Sequence, residues 1–238
     1  MIDLSVRSLL PEKMDDLNAP ENELKQNLIE LEVINKFLGG YSVVLDALNK
    51  FSGIKELKIT DLGCGGGDTL RTIATWAKKK NINAELVGID LNPVMISYAQ
   101  KASEAFPEIR YNVANIFDEN LMKERPDIVV CSLFCHHFDD EQLVELLKRM
   151  KLMAGTAIVI NDLHRHWLAY YGISILTSLF SKTYMVKHDA RLSVAKAFTR
   201  NEWASLLASS GIHHYSLKWR WAWRWELIIP ISKKQHYE

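Results

Sequence analysis

A glycine-rich segment that directly follows a short apolar run constrains the fold of this chain more than any other feature. The run ends near Asp61, and glycines at 63, 65, 66 and 67 lead into a helix-like stretch, Asp68–Lys80. Glycine lets the backbone turn tightly and approach a ligand because it has no Cβ, and a helix start presents unpaired N–H groups. This order is typical of a nucleotide-like site at the carboxyl end of a strand in an open α/β sheet.

The spacing of the glycines separates two kinds of nucleotide site. The dinucleotide fingerprint is G-x-G-x-x-G. Gly63 and Gly65 fit it, but Asp68 stands where its third glycine belongs. A second short apolar run, Leu86–Asp90, also ends in an acid. Two acid-terminated runs around one glycine loop predict two strands that offer carboxylates to a ligand amine or hydroxyl.

The loop resembles motif I of the class I S-adenosylmethionine-dependent methyltransferases, (D/E)-x-G-x-G-x-G. The matching residues are Asp61, Gly63, Gly65 and Gly67. The resemblance implies that S-adenosylmethionine is the cofactor and that Asp61 receives its methionine amino group, directly or through water. It also implies that Asp90 binds both ribose hydroxyls and that Leu91 lies against the adenine. A cap on the following helix is the alternative role of Asp90.

The same resemblance extends to the segment after the third predicted strand. Asn115 matches a family position that bonds the exocyclic adenine amine, and Ile116 matches the apolar neighbour that contacts the ring. An ordinary loop asparagine at a strand end is the alternative interpretation of Asn115.

The segment Cys131–Phe138 stands at the end of the fourth predicted strand, which faces the transferred methyl group in the resembled fold. We therefore assign Cys131 to the cofactor site. The pair His136-His137 is similar to a hydrophobic-His-His stretch in methyltransferases of the ubiquinone and menaquinone type. For these histidines we favour a packing or capping role over catalysis.

Composition excludes several other classes of protein. The 238 residues contain 29 Lys+Arg and 29 Asp+Glu, so no net positive field attracts nucleic acid. The three cysteines show neither zinc spacing nor a disulfide framework, and we predict no metal and a cytoplasmic location. The amino terminus lacks the pattern of a signal peptide, and no apolar run reaches membrane-spanning length.

The order of the predicted elements indicates an α/β fold. A helical stripe over Asn18–Lys50, interrupted at Gly39-Gly40, precedes five short strands that alternate with helices, and two further strands close the chain. The resemblance implies a Rossmann-like, seven-stranded, mainly parallel sheet with helices on both faces and an antiparallel last strand. We predict a helical cap over residues 1–52 and a methyltransferase domain over residues 53–238.

One connection is too long for the plain strand–helix repeat. About 36 residues, Leu163–Phe198, separate the fifth strand from the helix that opens with the capping box Thr199–Glu202. This segment begins with the apolar run Trp167–Phe180. We interpret it as a lid over the carboxyl ends of the strands. The run forms a core helix, a wall for an apolar substrate, or a surface that rests on a membrane.

Histidines in and beside the lid are the predicted proton acceptors. His164 follows the fifth strand, and His188 lies in the polar part of the lid. A histidine near its unperturbed pKa can accept a phenol proton at neutral pH. We predict His188 as the catalytic base and His164 as the second choice, with a structural role as the alternative for each.

These features together predict a methyltransferase that acts on an oxygen of a small aromatic or polyketide-like hydroxyl compound. The acceptor is expected to be apolar, aromatic or acyl-bearing, and not a nucleic acid. Carbon methylation of a quinol-type ring is the nearest alternative, because it needs the same base. A non-catalytic S-adenosylmethionine-binding protein is the alternative from another class. The sequence makes no prediction of oligomeric state.

Overall fold

The computed structural model describes residues 3–123 and 125–231. Its strands are β1 (Glu56–Leu62), β2 (Asn83–Asp90), β3 (Ile109–Val113), β4 (Ile128–Ser132), β5 (Ala157–Leu163), β6 (Ser216–Arg220) and β7 (Arg224–Pro230). They form one seven-stranded sheet in the order β3-β2-β1-β4-β5-β7-β6. The first five strands are parallel, and β7 runs antiparallel between β5 and β6. The predicted Rossmann-like sheet is confirmed.

The α-helices of the described residues are α1 (Glu21–Phe37), α2 (Gly40–Leu48), α3 (Asp68–Lys79), α4 (Pro93–Ala102), α5 (Asp140–Met153), α6 (Trp167–Phe180), α7 (Tyr184–Lys196) and α8 (Arg200–Ser209). The helical stripe before the first strand breaks where we predict. Gly39 lies between α1 and α2 with a φ of 68°, a left-handed conformation that glycine adopts without strain.

Helices cover both faces of the sheet. Along β4, Val129 and Cys131 pack with α5 and α8, whereas Ile128 and Val130 pack with α2, α3 and α4. Successive side chains of a strand point to opposite faces, so one strand contributes to two apolar clusters. Because the central strands are buried on both sides, their sequences are continuously apolar and do not alternate.

The predicted lid consists of two helices, α6 and α7, which pack against each other. The second of them also packs on α1, and a small apolar cluster of Leu24, Leu28, Met95 and Met185 joins α1, α4 and α7. The lid and the amino-terminal helices therefore meet above the sheet. The division of the chain at residue 52 stays a prediction, and α2, which lies before that boundary, packs directly on the sheet.

Two element bounds lie four residues from where the sequence pattern predicts them. The pattern predicts a helix over Pro93–Phe106, but α4 ends at Ala102, because Ser103 turns inward and its hydroxyl bonds Tyr111 in the core. A strand is predicted from Ile212, but β6 begins at Ser216. The Ile212 N–H instead bonds back to Leu207 and closes the end of α8. No helix in the described part of the chain is long and apolar enough to cross a membrane.

Candidate active site

The glycine loop has the left-handed backbone that its sequence predicts. Gly63, Gly65 and Gly67 have φ values of 70°, 49° and 73°. A Cβ at Gly63 would lie 2.2 Å from the ring of Phe134, and one at Gly67 would lie 2.2 Å from the hydroxyl oxygen of Tyr111. Both the backbone angle and the lack of space therefore require glycine here. The loop runs from the carboxyl end of β1 to the first turn of α3.

Asp61 lies near the end of β1 and is almost completely buried, with 1% of its surface exposed. Its Oδ1 atom has no hydrogen-bond partner. Burial, with smaller contributions from Asp68 and Asp90, raises the pKa of this carboxyl well above its usual value. A ligand ammonium group would relieve both the lost solvation and the missing partner. The site thus fits the methionine amino group of the predicted cofactor.

Asp90 ends β2 and is tied to the same loop. Its Oδ2 accepts a 2.9 Å hydrogen bond from the Gly65 N–H, and its Oδ1 accepts one of 2.9 Å from the Asn92 N–H. Burial raises its pKa, although these backbone bonds oppose the shift. Each carboxylate oxygen can accept a second hydrogen bond, so capacity for two ribose hydroxyls remains. Asn92, rather than Asp90, caps α4 through its own side chain.

Four other residues predicted for the cofactor lie in different settings, and like Asp90 none of them lines the main cavity. Leu91 is half exposed at 51%. Asn115 accepts a hydrogen bond from Phe117 N–H, and Ile116 packs in the apolar cluster under α5. Cys131 is fully buried, with its Sγ 3.4 Å from that of Cys135. Their assignment to the adenine and methyl ends of the cofactor stays a prediction.

The main cavity, of about 340 Å³, begins at Asp61, Gly63 and Gly65 and extends beneath the lid. Its aliphatic wall comes from two helices on opposite sides. The apolar lining residues from α1 and α6 are Leu28, Leu31, Ile34, Ala169, Gly172, Ile173 and Leu176. A smaller cavity of about 190 Å³ shares Ile34 and Leu176 with it. An apolar ligand can therefore occupy space next to the cofactor loop.

A buried histidine stands on the polar side of this cavity. His136 Nδ1 lies 2.7 Å from Asp162 Oδ1, and the Asp162 Oδ2 accepts the His136 backbone N–H at 3.1 Å. Burial alone would raise the pKa of Asp162, but His136 and the Leu163 N–H lower it below the usual value. An ionised Asp162 only accepts hydrogen bonds, so Nδ1 of His136 carries a proton.

The other ring nitrogen of His136 faces a second carboxylate. Its Nε2 lies 3.6 Å from Glu12 Oε1, and Lys196 Nζ lies 3.3 Å from the same oxygen. Glu12 also accepts a 2.9 Å hydrogen bond from the Ser193 hydroxyl. Glu12, His136 and Lys196 are each about 3% exposed. Residues from the amino terminus, the loop after β4 and the lid thus form one buried polar cluster.

Donor atoms of Glu12, His136 and His137 lie within 4.8 Å of one another, a spacing that could hold a metal ion. The Lys196 ammonium group already faces the same carboxylate. His137 Nδ1 is 2.9 Å from Asp15. Burial would lower the pKa of His137, but Asp15 and Glu12 raise it overall, which favours a protonated ring that cannot bind metal. We interpret this group as an ion-pair cluster.

The two histidines predicted as bases lie outside the cavity lining. His188 is paired through Nδ1 with its sequence neighbour Asp189 at 2.8 Å, and that carboxylate also accepts the backbone N–H groups of Lys13 and Met14. His164 packs on Trp225 with a buried, unpaired Nδ1. Burial lowers the pKa of His164 to about 4, helped by His166. Their catalytic role stays a prediction.

Comparison with known proteins agrees with this geometry. Residues 59–167 match a family described as "Methyltransferase domain". A ubiquinone biosynthesis O-methyltransferase of Xylella fastidiosa is 25% identical over 181 residues, which cover 72% of this chain and 70% of that protein. The non-reducing polyketide synthase Preu3 of Preussia isomera is 27% identical over 85 residues, which are 36% of this chain and 3% of the synthase.

Solved structures share the fold at low sequence identity. Human N-acetylserotonin methyltransferase, solved with S-adenosylmethionine, matches with a TM-score of 0.67 and 16% identity, over 94% of this chain and 61% of that one. Magnesium protoporphyrin IX methyltransferase from Synechocystis PCC 6803, solved with SAH, has a TM-score of 0.57 and 17% identity, over 86% and 87% of the two chains. The glycine-loop motif, the sheet order and these matches together support a class I S-adenosylmethionine-dependent methyltransferase.

Proposed function

We propose that this methyltransferase acts on a hydroxyl oxygen of a small, largely apolar acceptor. The observation that carries the proposal is a single cavity with three different walls. It begins at the glycine loop, continues between aliphatic side chains of α1 and α6, and reaches His136 on its polar side. A cavity of about 340 Å³ next to the loop leaves space for an acceptor, which favours an enzyme over a non-catalytic binding protein.

The residues of the loop hold the cofactor in this proposal. Asp61 accepts the ammonium group, Asp90 accepts the ribose hydroxyls, and the glycines let the backbone come close. Bound S-adenosylmethionine supplies a methyl group made electrophilic by the sulfonium. The lid and α1 exclude water and orient the acceptor, and such positioning can supply a large part of the rate enhancement.

His136 is the proton acceptor that the geometry favours. Asp162 holds its Nδ1–H at 2.7 Å, so Nε2 can take the proton from an acceptor hydroxyl as the oxygen bonds to the methyl carbon. The Glu12 carboxylate, 3.6 Å from Nε2, then stabilises the positive ring. A positioned base contributes about 10²- to 10⁴-fold in rate. His188 and His164 remain the alternatives predicted from sequence, but neither lines the cavity.

The test compares three histidine variants with phenols and catechols that carry alkyl substituents, by the rate at which S-adenosylhomocysteine forms. We expect His136→Gln to lower turnover about 10²- to 10⁴-fold at neutral pH. Its affinity for S-adenosylhomocysteine should stay unchanged in calorimetry. The exposed His213→Gln variant is the matched control.

Full turnover in His136→Gln, together with a large loss in His188→Gln or His164→Gln, would support the sequence-based assignment instead. The position of the new methyl group in the product distinguishes oxygen from carbon methylation. If none of the phenols is methylated by a folded, cofactor-binding protein, the proposed acceptor class is wrong.

A further inference from the structure

Arg224, the first residue of β7, is a buried cation with an incomplete set of partners. Only 2% of its surface is exposed. Its Nη2 donates a 3.0 Å hydrogen bond to Asn35 Oδ1, whereas Nε and Nη1 have no partner. Within residues 3–123 and 125–231, this guanidinium group forms no ion pair at 4.0 Å or less. The charge is therefore removed from water without a carboxylate beside it.

The other deeply buried arginines of the described chain show a different arrangement. Arg165, 5% exposed, donates from Nη1 to Glu202 at 2.9 Å and also bonds backbone carbonyl groups. Arg7 donates to the Phe138 carbonyl, lies 3.5 Å from Asp140 and rests on the ring of Phe198. Both have an acidic partner within the fold. Arg224 is the exception among these three.

The environment of Arg224 explains why its set of hydrogen-bond and charge partners stays incomplete. Burial lowers its pKa to about 10, and Asp162 and Tyr41 only partly oppose that shift. Asp162 is already hydrogen-bonded to His136. A buried charge without a directly bonded partner destabilises the fold unless a counter-charge arrives. Among the described residues, Asp162 acts on this charge from a distance but does not pair with the guanidinium group.

Arg224 also faces open space. It lines the main cavity together with Asn35 of α1, Leu163 of β5 and the turn Trp221–Trp223 that joins β6 to β7. Because Nε and Nη1 are themselves buried behind this lining, a ligand carboxylate reaches them only after a small movement of the Arg224 side chain. A guanidinium group presents paired N–H donors that match the two oxygens of a carboxylate.

We propose that Arg224 binds a carboxylate group of a ligand inside the main cavity. Two ligands of this enzyme can supply that chemistry: the methionine α-carboxylate of the cofactor, or a carboxylate on the acceptor. The proposal requires only that the cavity holds these ligands, so it does not depend on whether the methyl group goes to oxygen or carbon.

The test measures binding rather than turnover, in wild type and in Arg224→Gln and Arg224→Met. Calorimetry with S-adenosylhomocysteine and with 5′-methylthioadenosine, which lacks the amino-acid portion, identifies a cofactor carboxylate. In that case we expect about ten- to a hundredfold weaker binding of the first and no change for the second. A matched pair of probes, 4-hydroxybenzoate and phenol, identifies an acceptor carboxylate through selective loss of 4-hydroxybenzoate binding.

Arg220→Gln is the control, because Arg220 lies outside the cavity lining and pairs with Asp46 and Glu226. Unchanged affinity for all four probes in both Arg224 variants would overturn the proposal. Thermal unfolding of the ligand-free variants distinguishes a structural role of Arg224 from a ligand-binding role. Since the charge is uncompensated in the fold, Arg224→Met should keep or raise the melting temperature. A clear decrease would indicate a structural arginine and would also refute the proposal.

Discussion

Two acidic residues with the same place in the sequence pattern have different tasks in the structure. Asp61 and Asp90 each stand at the carboxyl end of a buried strand. Asp61 has an oxygen with no partner, whereas Asp90 holds the loop through Gly65 and the next turn through Asn92. The first is suited to receive a charged group. The second both shapes the loop and offers remaining lone pairs to hydroxyls.

We expect Asp90→Ala to weaken S-adenosylhomocysteine binding about ten- to a hundredfold, because a carboxylate that accepts two hydroxyl bonds contributes roughly 1.5–3 kcal/mol. Calorimetric titration measures the affinity. The control is Asp127→Ala, which removes a carboxylate that accepts the Lys58 N–H at the opposite, amino-terminal edge of the sheet. Equal affinity of wild type and folded Asp90→Ala would contradict the cofactor assignment.

The lid helix α6 shows how an element can be apolar without being a core helix. On one face its exposed side chains recur at four-residue steps, and only Ala169 and Thr177 are buried. The exposed members of this face are Trp167, Tyr171, Ile175 and Leu179. Its inner side lines the cavity. The apolar run is therefore a cavity wall with an exposed outer face and not a core helix, and its contact with a substrate or with a membrane stays a prediction.

Two glycine substitutions separate helix propensity from close packing. A Cβ at Gly172 in α6 would meet nothing within 4 Å, whereas one at Gly88 in β2 would lie 2.6 Å from the Tyr111 ring and 2.8 Å from Leu70. We expect Gly172→Ala to stabilise the protein by about 0.8–1 kcal/mol and to raise the melting temperature by roughly 2–4 °C. Gly88→Ala should destabilise it by about 1–3 kcal/mol through overpacking.

Thermal and urea unfolding of both variants measure these effects. A destabilised Gly172→Ala would show that the inner face of α6 needs glycine for a reason other than space, such as closure of the lid. A neutral Gly88→Ala would show that the core around Tyr111 relaxes more easily than its contacts indicate.

At the scale of the whole molecule, the pH dependence of folding stability arises from histidines whose pKa values shift in opposite directions. The pKa of His164 is lowered to about 4, chiefly by burial, while that of His137 is raised by Asp15 and Glu12 against the effect of burial. His137 therefore stabilises the fold when it is protonated, and this contribution is lost as the pH rises. His164 acts in the opposite direction, because only the unfolded chain binds its proton between about pH 6.5 and 4.

We predict that His164→Gln makes folding less sensitive to acid. In wild type, stability should fall as the pH drops from 6.5 towards 4, since protonation of the unfolded His164 favours unfolding. The loss should be smaller than a fully buried histidine would give, because this side chain is only half-buried. Urea unfolding at pH 7, 6 and 5 measures the effect, with the exposed His213→Gln as control. Parallel stability curves for wild type and His164→Gln would refute it.

Local chemistry made much of the cofactor loop predictable. The glycine pattern predicts Gly63 and Gly67 because a left-handed backbone and a nearby ring exclude a Cβ at both positions. Gly39 marks the break between two helices because its backbone is also left-handed. Asp61 and Asp90 follow from acid-terminated apolar runs. The strand order came from the family resemblance, since alternation alone does not state which strands are neighbours.

Contacts between distant parts of the chain were decided only by the tertiary structure. His136 becomes the favoured base because Asp162 and Glu12, remote in sequence, reach its two ring nitrogens. Arg224 stands in a stretch of alternating tryptophans, and nothing local indicates that its guanidinium group is buried at the cavity. Sequence by itself determined the strand–loop–helix unit, because backbone sterics and hydrophobic period act over a few residues. The fold alone determined which charges meet, because burial and pairing depend on elements that converge from opposite ends of the chain.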